Sequence, residues 1–437
     1  MATAPFHVVI VGGGVGGLCL AQGLRQAGLS VAVYERDRTP TARLQGYRLH
    51  ISPAGAHALR ACLPPPAFDA FLATSGKGNR AFSFYDERLR ELLAFDFGDA
   101  LPPDPADRHH SVSRITLRQV LLMGLDDVVR FDKTFTHYEL LPSGEVTAHF
   151  ADGETATGTV LVGADGVGSR VRKQRLPHAP VVDTGVIAVG GKVPLTDPTR
   201  ALLPPRLFDG PALVSARGGF SLFLAVQEFA RRPAGVGAIG GNDRPGALGL
   251  LEDNTADYVM WGFGARRAKY PLRADPAALD GAALQAVVLG LCQGWHPRLR
   301  RLVAAADPTT ITAFPIRTSV PIGDWETRPI TLLGDAIHSM TPYRGIGANT
   351  ALRDAERLCA ALVAAARREQ PLLRALHAYE AEMRRYGFAA VRSSRRALDS
   401  VLAEGTLARA LSHTALRTLN ALPAPAKRWL FRNAGDQ

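Results

Sequence analysis

The stretch His7-Val8-Val9-Ile10-Val11-Gly12-Gly13-Gly14-Val15-Gly16-Gly17 decides the fold. An apolar, β-branched run reads as a buried strand, the glycines as a turn, and Leu18 to Ala27 as a helix closed by Gly28. Val31 to Tyr34 is a second strand that ends on an acid, Glu35, about twenty residues past the glycines. The glycines satisfy G-x-G-x-x-G. Gly12 permits a tight turn, Gly14 lets the backbone approach a pyrophosphate, and Gly17 lets helix and strand pack closely. The helix opening at Val15 offers free N–H groups and its positive end to phosphates, and Glu35, with Arg36 beside it, is placed for the ribose hydroxyls of an adenosine. The hexapeptide alone is weak evidence. Its position between strand and helix, with the acid at the right distance, makes a dinucleotide site, and the stretch itself leaves NAD and FAD open.

Working outward, the strands and helices alternate, which argues for a parallel sheet covered by helices. After Pro64 the pattern changes: Ala81 to Tyr85 and Leu92 to Phe97 alternate as strands of a different sheet. A helix is expected at about Thr116 to Leu125, a hairpin from Val146 to Phe150 with its turn at Asp152-Gly153, and a buried strand at Thr159 to Val162. Residues 181 to 265 are β-rich, with Val186 to Val189, Phe220 to Val226 and Tyr258 to Phe263 as examples. A helix at Leu279 to Gly294 leads to a strand at Ile330 to Leu333 and a long helical tail. The expected fold is α/β: a Rossmann-like domain formed by 1–78, 102–180 and 284–370, interleaved with a β-sheet substrate domain of 79–101 and 181–283. Residues 371–437 form a C-terminal helical region.

Composition narrows the class. The chain has 437 residues, 46% hydrophobic and 21% charged, the profile of a globular protein with room for two packed domains. No apolar run is long enough for a membrane span, and no cationic region precedes the first strand as a signal peptide would require. Cys19, Cys62, Cys292 and Cys359 form no CxxC pair, so a reducing cytoplasm fits and no metal site is expected; His109, His110 and His338 also lack partners at metal-ligand spacing. The net charge of +11 comes from dispersed arginines outside any nucleic-acid-binding module, so a solvated basic face is expected rather than a nucleic-acid partner.

Two further stretches give the dinucleotide a name. Gly163-Ala164-Asp165-Gly166-Val167-Gly168-Ser169-Arg170-Val171-Arg172 closes a buried strand. Much later comes Leu333-Gly334-Asp335-Ala336-Ile337-His338, continuing through Pro342 to Gly345-Ile346-Gly347-Ala348-Asn349 and Asp354. With the first stretch, in this order, they resemble the group A flavoprotein monooxygenases, the p-hydroxybenzoate hydroxylase-like family of aromatic-ring hydroxylases. The resemblance implies that Asp335, after Gly334, binds the flavin ribityl chain, and that Pro342, Gly345, Gly347, Ala348 and Asn349 lie by the flavin ring. It also implies a role for Asp165-Gly166 with both FAD and NAD(P)H. Arg114 and Arg118 stand where the family often has an arginine on FAD, or are simply basic residues of a surface helix. Gln45-Gly46-Tyr47-Arg48 falls where the family has a loop near the isoalloxazine, making Arg48 a flavin or pyrophosphate candidate.

The implied activity is that of a cytoplasmic oxidoreductase. NAD(P)H reduces bound FAD, O2 forms the C4a-hydroperoxyflavin, and one oxygen atom hydroxylates or epoxidises a small aromatic or polyketide-like substrate. The Ala/Arg/Pro/Gly-rich composition suggests secondary metabolism. Pocket candidates are Arg48, Phe223, Trp261, Tyr343 and Arg344, with Phe220, Met260, Phe263 and Phe314 as further aromatic or apolar options, although the same periodicity suits a sheet core. Arg217 and Arg317 are candidates for holding an acidic substrate or are exposed structural residues. The rival readings are an FAD-dependent reductase or oxidase without oxygen insertion, and a non-catalytic flavin-binding protein. The expected partners are the small-molecule substrate and O2, with no nucleic acid and no membrane, in a monomer or homodimer.

Overall fold

Val8, Val9 and Ile10 are wholly buried because their strand, His7–Val11, is the middle of a five-stranded sheet. Its parallel neighbours are Val160–Gly163 and Ser30–Tyr34, and Ile330–Leu332 and Val129–Arg130 extend it outward. A strand flanked on both sides and covered on both faces must be apolar where it is buried, as Val8 to Val11 are. The computed structural model describes residues 6–40, 48–96, 102–229, 256–271, 276–423 and 426–427. Gln45–Tyr47 and Phe97, named above, lie outside these, as do parts of the 371–437 region.

The helix Val15–Gln26 follows the glycine turn and buries Leu18, Leu20 and Leu24 in the first core. Two helices, Pro53–Cys62 and Pro65–Thr74, occupy a segment the sequence reading passed over. Each helix carries proline in its first turn, where the missing N–H costs nothing. Ser52 accepts a hydrogen bond from Gly55 N and caps the first of them.

The second layer is a seven-stranded sheet in the order Thr312–Ser319, Val181–Pro194, Tyr258–Arg266, Phe220–Gln227, Ala212–Ala216, Ala81–Asp86 and Glu91–Asp96. Period-two alternation gives it two different faces. Val189, Leu222, Leu224, Trp261 and Phe263 point to one side and form a second core with Leu284, Val288, Leu299 and Leu302. Those leucines and valine lie on the helices Gly281–Leu291 and Pro297–Ala304. The sequence reading gave residues 284–370 to the first domain, but these helices and the Thr312–Ser319 strand belong with the second sheet. An amphipathic pattern shows that a helix buries one face and is silent on which sheet receives it. Trp261, a pocket candidate by sequence, is a core residue of this face, with no exposed surface.

The thirty-residue helix Leu372–Val401 ties the layers together. Leu376, Tyr379, Met383, Phe388 and Val391 pack in the first core, while Leu398 meets Val186 and Ile316 at the edge of the second sheet. Among the described residues no helix is long and apolar enough to cross a membrane.

Candidate functional site

The parallel strands end at a cavity of about 310 Å3 whose walls include Gly12 to Val15, Glu35, Arg36, Arg114, Arg118 and Ala164 to Gly166. Such a crevice at the carboxyl ends of parallel strands is where an open α/β sheet takes its ligand. The three fingerprint glycines exist for different reasons. A Cβ on Gly12, whose φ is +113°, would stand 2.3 Å from Ala164 O, and one on Gly17 would stand 2.2 Å from Gly12 O. The protein's own packing demands both. A Cβ on Gly14 would meet nothing within 4 Å, so its bareness serves whatever enters the cavity.

Glu35 is buried at the end of its strand. Its Oε2 accepts from Gly13 N at 2.6 Å and its Oε1 from Asp37 N at 2.9 Å, which fixes the carboxylate against the glycine turn. Arg118 closes that end: it pairs with Asp37 at 3.2 Å, lies 4.0 Å from Glu35, and donates to Pro40 O. Arg114 occupies the first turn of the Arg114–Leu122 helix, exposed to the cavity, and Arg36 is likewise exposed beside Glu35.

Asp165 and Asp335, the two motif aspartates, differ in how far the protein has used them. Asp165 accepts from the Ser169 hydroxyl, Arg170 N and Val171 N, so its carboxylate is spent on the turn that starts the Arg170–Arg175 helix. Burial pushes its pKa up, and those three hydrogen bonds pull against that. Arg172 donates to Ala336 O and Val167 O and so staples this turn to the later motif. Gly166 adopts φ +75° beside it. Asp335 accepts no hydrogen bond from any described residue. Solvent reaches it, yet protein crowds around it, and this enclosure pushes its pKa up while His338 and Arg114 draw it down. Its carboxylate is uncommitted among the described residues.

What holds Asp335 in place is Asp354, which the sequence reading placed at the end of its motif without a role. Wholly buried, Asp354 accepts from Gly334 N at 2.7 Å, pairs with His338 Nε2 at 2.6 Å and accepts from the Tyr386 hydroxyl. His338 therefore lies under the motif, away from the cavity. Burial lowers its pKa, but the charge of Asp354 and their hydrogen bond outweigh this, and the net shift is upward from 6.5. The pair's contribution to stability is then complete below about 6.5 and lost as pH rises through the raised folded value. Melting temperature should fall across that interval, and His338→Gln should flatten this part of the profile; an unchanged slope would contradict the assignment.

Beyond Asp335, Pro342–Arg344 forms a single turn, Gly345 adopts φ +64°, and the Gly347–Ala366 helix begins. A Cβ on Gly345 would meet nothing, and one on Gly347 only Met340 at 3.8 Å. Ala348 follows in the first helical turn. Asn349 spends both ends of its amide inside the protein, donating to His50 O and accepting from Ser52 N. It fastens this helix to the Arg48–Ile51 strand and is not aimed outward.

The pocket candidates separate. Arg48 is buried between the two layers and donates to Asn79, with its Nε unpaired; burial pushes its pKa down to about 10. It does not line the dinucleotide cavity. Tyr343 approaches the second sheet, its hydroxyl 3.3 Å from Ser221 Oγ, while Arg344 is half-buried on the same turn. Phe223 is partly exposed on the sheet face that looks toward Tyr343. Arg217 is exposed and pairs with Glu87, and Arg317 is exposed too, so neither faces this interior. Reading the sequence missed Lys192, a buried cation on the same face as Phe223. Its signal was a lone lysine in the otherwise apolar run from Gly185 to Pro194.

Two family models match the chain, an NAD(P)-binding Rossmann-like domain over residues 10–87 and an FAD binding domain over residues 291–394. The dual O-methyltransferase/FAD-dependent monooxygenase CTB3 of Cercospora beticola is 32% identical over 403 residues, 86% of this chain. This chain spans less than half of that protein, 44% of its length. The FAD-dependent urate hydroxylase of Klebsiella pneumoniae is 28% identical over 86% of this chain and 85% of its own. Among solved structures, a protein assigned as an FAD containing monooxygenase in Photorhabdus luminescens superposes with a TM-score of 0.79 at 33% identity, over 92% of this chain and all of its own.

Proposed function

Because this chain belongs to the FAD-dependent monooxygenases, we propose that it holds FAD and uses NAD(P)H and O2 to hydroxylate or epoxidise a small aromatic or polyketide-like substrate. The observation that carries the reading is the set of motif groups that the protein leaves uncommitted: the bare backbone at Gly14 in the wall of the cavity, the carboxylate of Asp335, and the open glycines 345 and 347. Each suits a different part of FAD. Gly14, Val15 and Arg114 would hold the pyrophosphate, and Glu35, with Arg36 and Arg118 near it, the adenosine ribose. Asp335 would accept from ribityl hydroxyls, and Gly345, Gly347 and Ala348 would let a flat ring lie against backbone.

FAD would supply the electron storage and oxygen activation that side chains lack. The chain's part is to bind, orient and shield. The Gly347–Ala366 helix points its positive end toward the proposed ring position and favours negative charge there. Asp165, Ser169 and Arg172 keep the turn behind the pyrophosphate rigid. Tyr343, Arg48 and the facing sheet enclose the space beyond.

The test is a visible absorption spectrum of the purified protein, followed by NADPH or NADH addition in air with a panel of phenolic compounds. Flavin bands and ligand-accelerated oxidation of the nicotinamide are expected. A protein that takes up no FAD would overturn the reading. Asp335→Ala should lower FAD affinity about tenfold or more, the loss of charge-assisted hydrogen bonds, with melting temperature in the absence of FAD nearly unchanged. Fluorescence titration checks it; wild-type affinity in the variant would remove Asp335 from the site.

A further inference from the structure

The face of the seven-stranded sheet that turns away from Trp261 carries four cross-strand rows. Ala188, Gly264 and Ser221 form the first; Gly190, Gly262 and Phe223 the second; Lys192, Met260 and Ala225 the third; Pro194, Tyr258 and Gln227 the fourth. The outer rows are covered. A Cβ on Gly264 would stand 2.2 Å from the Tyr343 hydroxyl, which also approaches Ser221. At the other end Gln227 accepts from the Ser111 hydroxyl, and Tyr258 lies against Arg48. The middle rows are covered only in part, with Gly190, Lys192 and Ala225 buried. A Cβ on Gly262 would meet nothing within 4 Å, and Phe223 and Met260 are partly exposed although the sheet around them is buried. A gap thus opens over Gly262 in the middle of the sheet, and this glycine gives it a floor of bare backbone on which a flat ring can rest.

Lys192 stands at the edge of this gap. It is 8% exposed, and its ammonium lies 4.7 Å from the centroid of the Tyr258 ring. No hydrogen bond or ion pair joins its side chain to any described residue. Its strand is held rigidly, with Lys192 N donating to Thr310 Oγ1 and Lys192 O accepting from Asp307 N. Burial pushes its pKa down to about 8, with no carboxylate opposing the shift. A buried charge without an anion is costly, and the ring of Tyr258 compensates only in part. A ligand that brings its own negative charge removes that cost.

Resting on the monooxygenase reading above, we propose that Lys192 binds the ionised oxygen of a hydroxylated, unsaturated ring, a phenolate or enolate, lying over Gly262. When the amine is neutral, the proton moves from the substrate O–H to Nζ and leaves an ammonium–phenolate pair. When it is already charged, the hydroxyl proton passes to water on binding. Either way the oxygen lone pair is released into the ring and raises electron density at the ortho and para carbons, where an electrophilic oxygen donor attacks. Recognition and activation come from the same contact.

The experiment uses FAD-loaded protein, with 4-nitrophenol as the ionisable probe and its methyl ether, 4-nitroanisole, as the probe that cannot ionise. Equilibrium dialysis at neutral pH measures both affinities, and difference spectra report whether bound 4-nitrophenol is ionised. Wild-type protein is expected to hold 4-nitrophenol as the phenolate, about tenfold or more tighter than the ether. Lys192→Met should erase the preference and the phenolate spectrum, and Lys192→Arg should keep the preference. Equal binding of the two probes by wild type, absence of binding by both, or an unchanged preference in Lys192→Met overturns the proposal. The wild-type comparison decides even where Lys192→Met does not fold, which its FAD content and melting temperature reveal. A protein that binds no FAD sinks the monooxygenase reading itself. A protein that holds FAD yet treats the two probes alike sinks only the role of Lys192.

Discussion

Replacing Gly14 with valine is expected to leave the chain folded and to weaken FAD binding about a hundredfold, about 3 kcal/mol. The two halves of this expectation have separate grounds. Gly14 sits just before the Val15–Gln26 helix with φ −81° and ψ −178°, extended backbone that any residue adopts, and its side-chain direction is empty of protein. The added methyls therefore meet only the ligand, where a pyrophosphate has to approach the backbone closely. Gly12 is the contrast. Its φ of +113° and a Cβ only 2.3 Å from Ala164 O make Gly12→Ala a folding defect before it is a binding defect. Thermal melts without FAD and fluorescence titrations with it separate the two variants. Full FAD affinity in Gly14→Val would show that the dinucleotide does not pass this turn.

Asp354→Ala should be the most destabilising single change at the site, by about 3–5 kcal/mol, because it removes one partner of a buried ion pair. Its carboxylate serves three donors on two segments, Gly334 N and His338 on one and Tyr386 on the other, with no exposure to water. Deleting it leaves an imidazole, a phenol and a backbone N–H unsatisfied together beneath the Asp335 turn. Denaturant unfolding measures the loss. A cost under about 1 kcal/mol would mean that water or a rearranged Tyr386 replaces the carboxylate, and that the turn does not depend on it.

The parallel sheet was legible because its evidence is local. Val8 to Val11 are uniformly apolar, Gly12, Gly14 and Gly17 follow at fixed offsets, and Glu35 closes the next strand, so a few dozen residues define the unit. The second sheet was legible as strands and less so as a domain. Its members come from 81–96, 181–227, 258–266 and 312–319, and the sorting of intervening helices between two cores is a long-range matter. The prolines at 53 and 65 concealed two helices because the same residue breaks a helix inside and starts one at its first turn.

Within the site, glycines and aspartates could be placed by motif, but their status could not. Only packing shows that Asp165 is fully hydrogen-bonded and Asp335 is not, or that Asn349 is turned inward to His50 and Ser52. For the substrate region, alternation in the Tyr258–Arg266 strand divides its residues into two faces without naming the inner one. Trp261, the most conspicuous aromatic, fell on the core side, while Met260 and Gly262 fell on the open side. Lys192 escaped notice for a related reason: a single lysine within a strand ordinarily marks the solvent face.

The central claim is oxygen transfer by a flavin bound in this cleft, and isotopic labelling tests it most directly. FAD-loaded protein is given NADPH or NADH, a phenolic substrate selected by accelerated nicotinamide oxidation, and dioxygen enriched in the heavy isotope, and the product is weighed by mass spectrometry. The account predicts a product heavier by one labelled oxygen atom, with one nicotinamide oxidised for each. Nicotinamide consumption that yields labelled hydrogen peroxide and an unlabelled, unoxygenated aromatic would contradict it and identify a flavin-dependent reductase or oxidase.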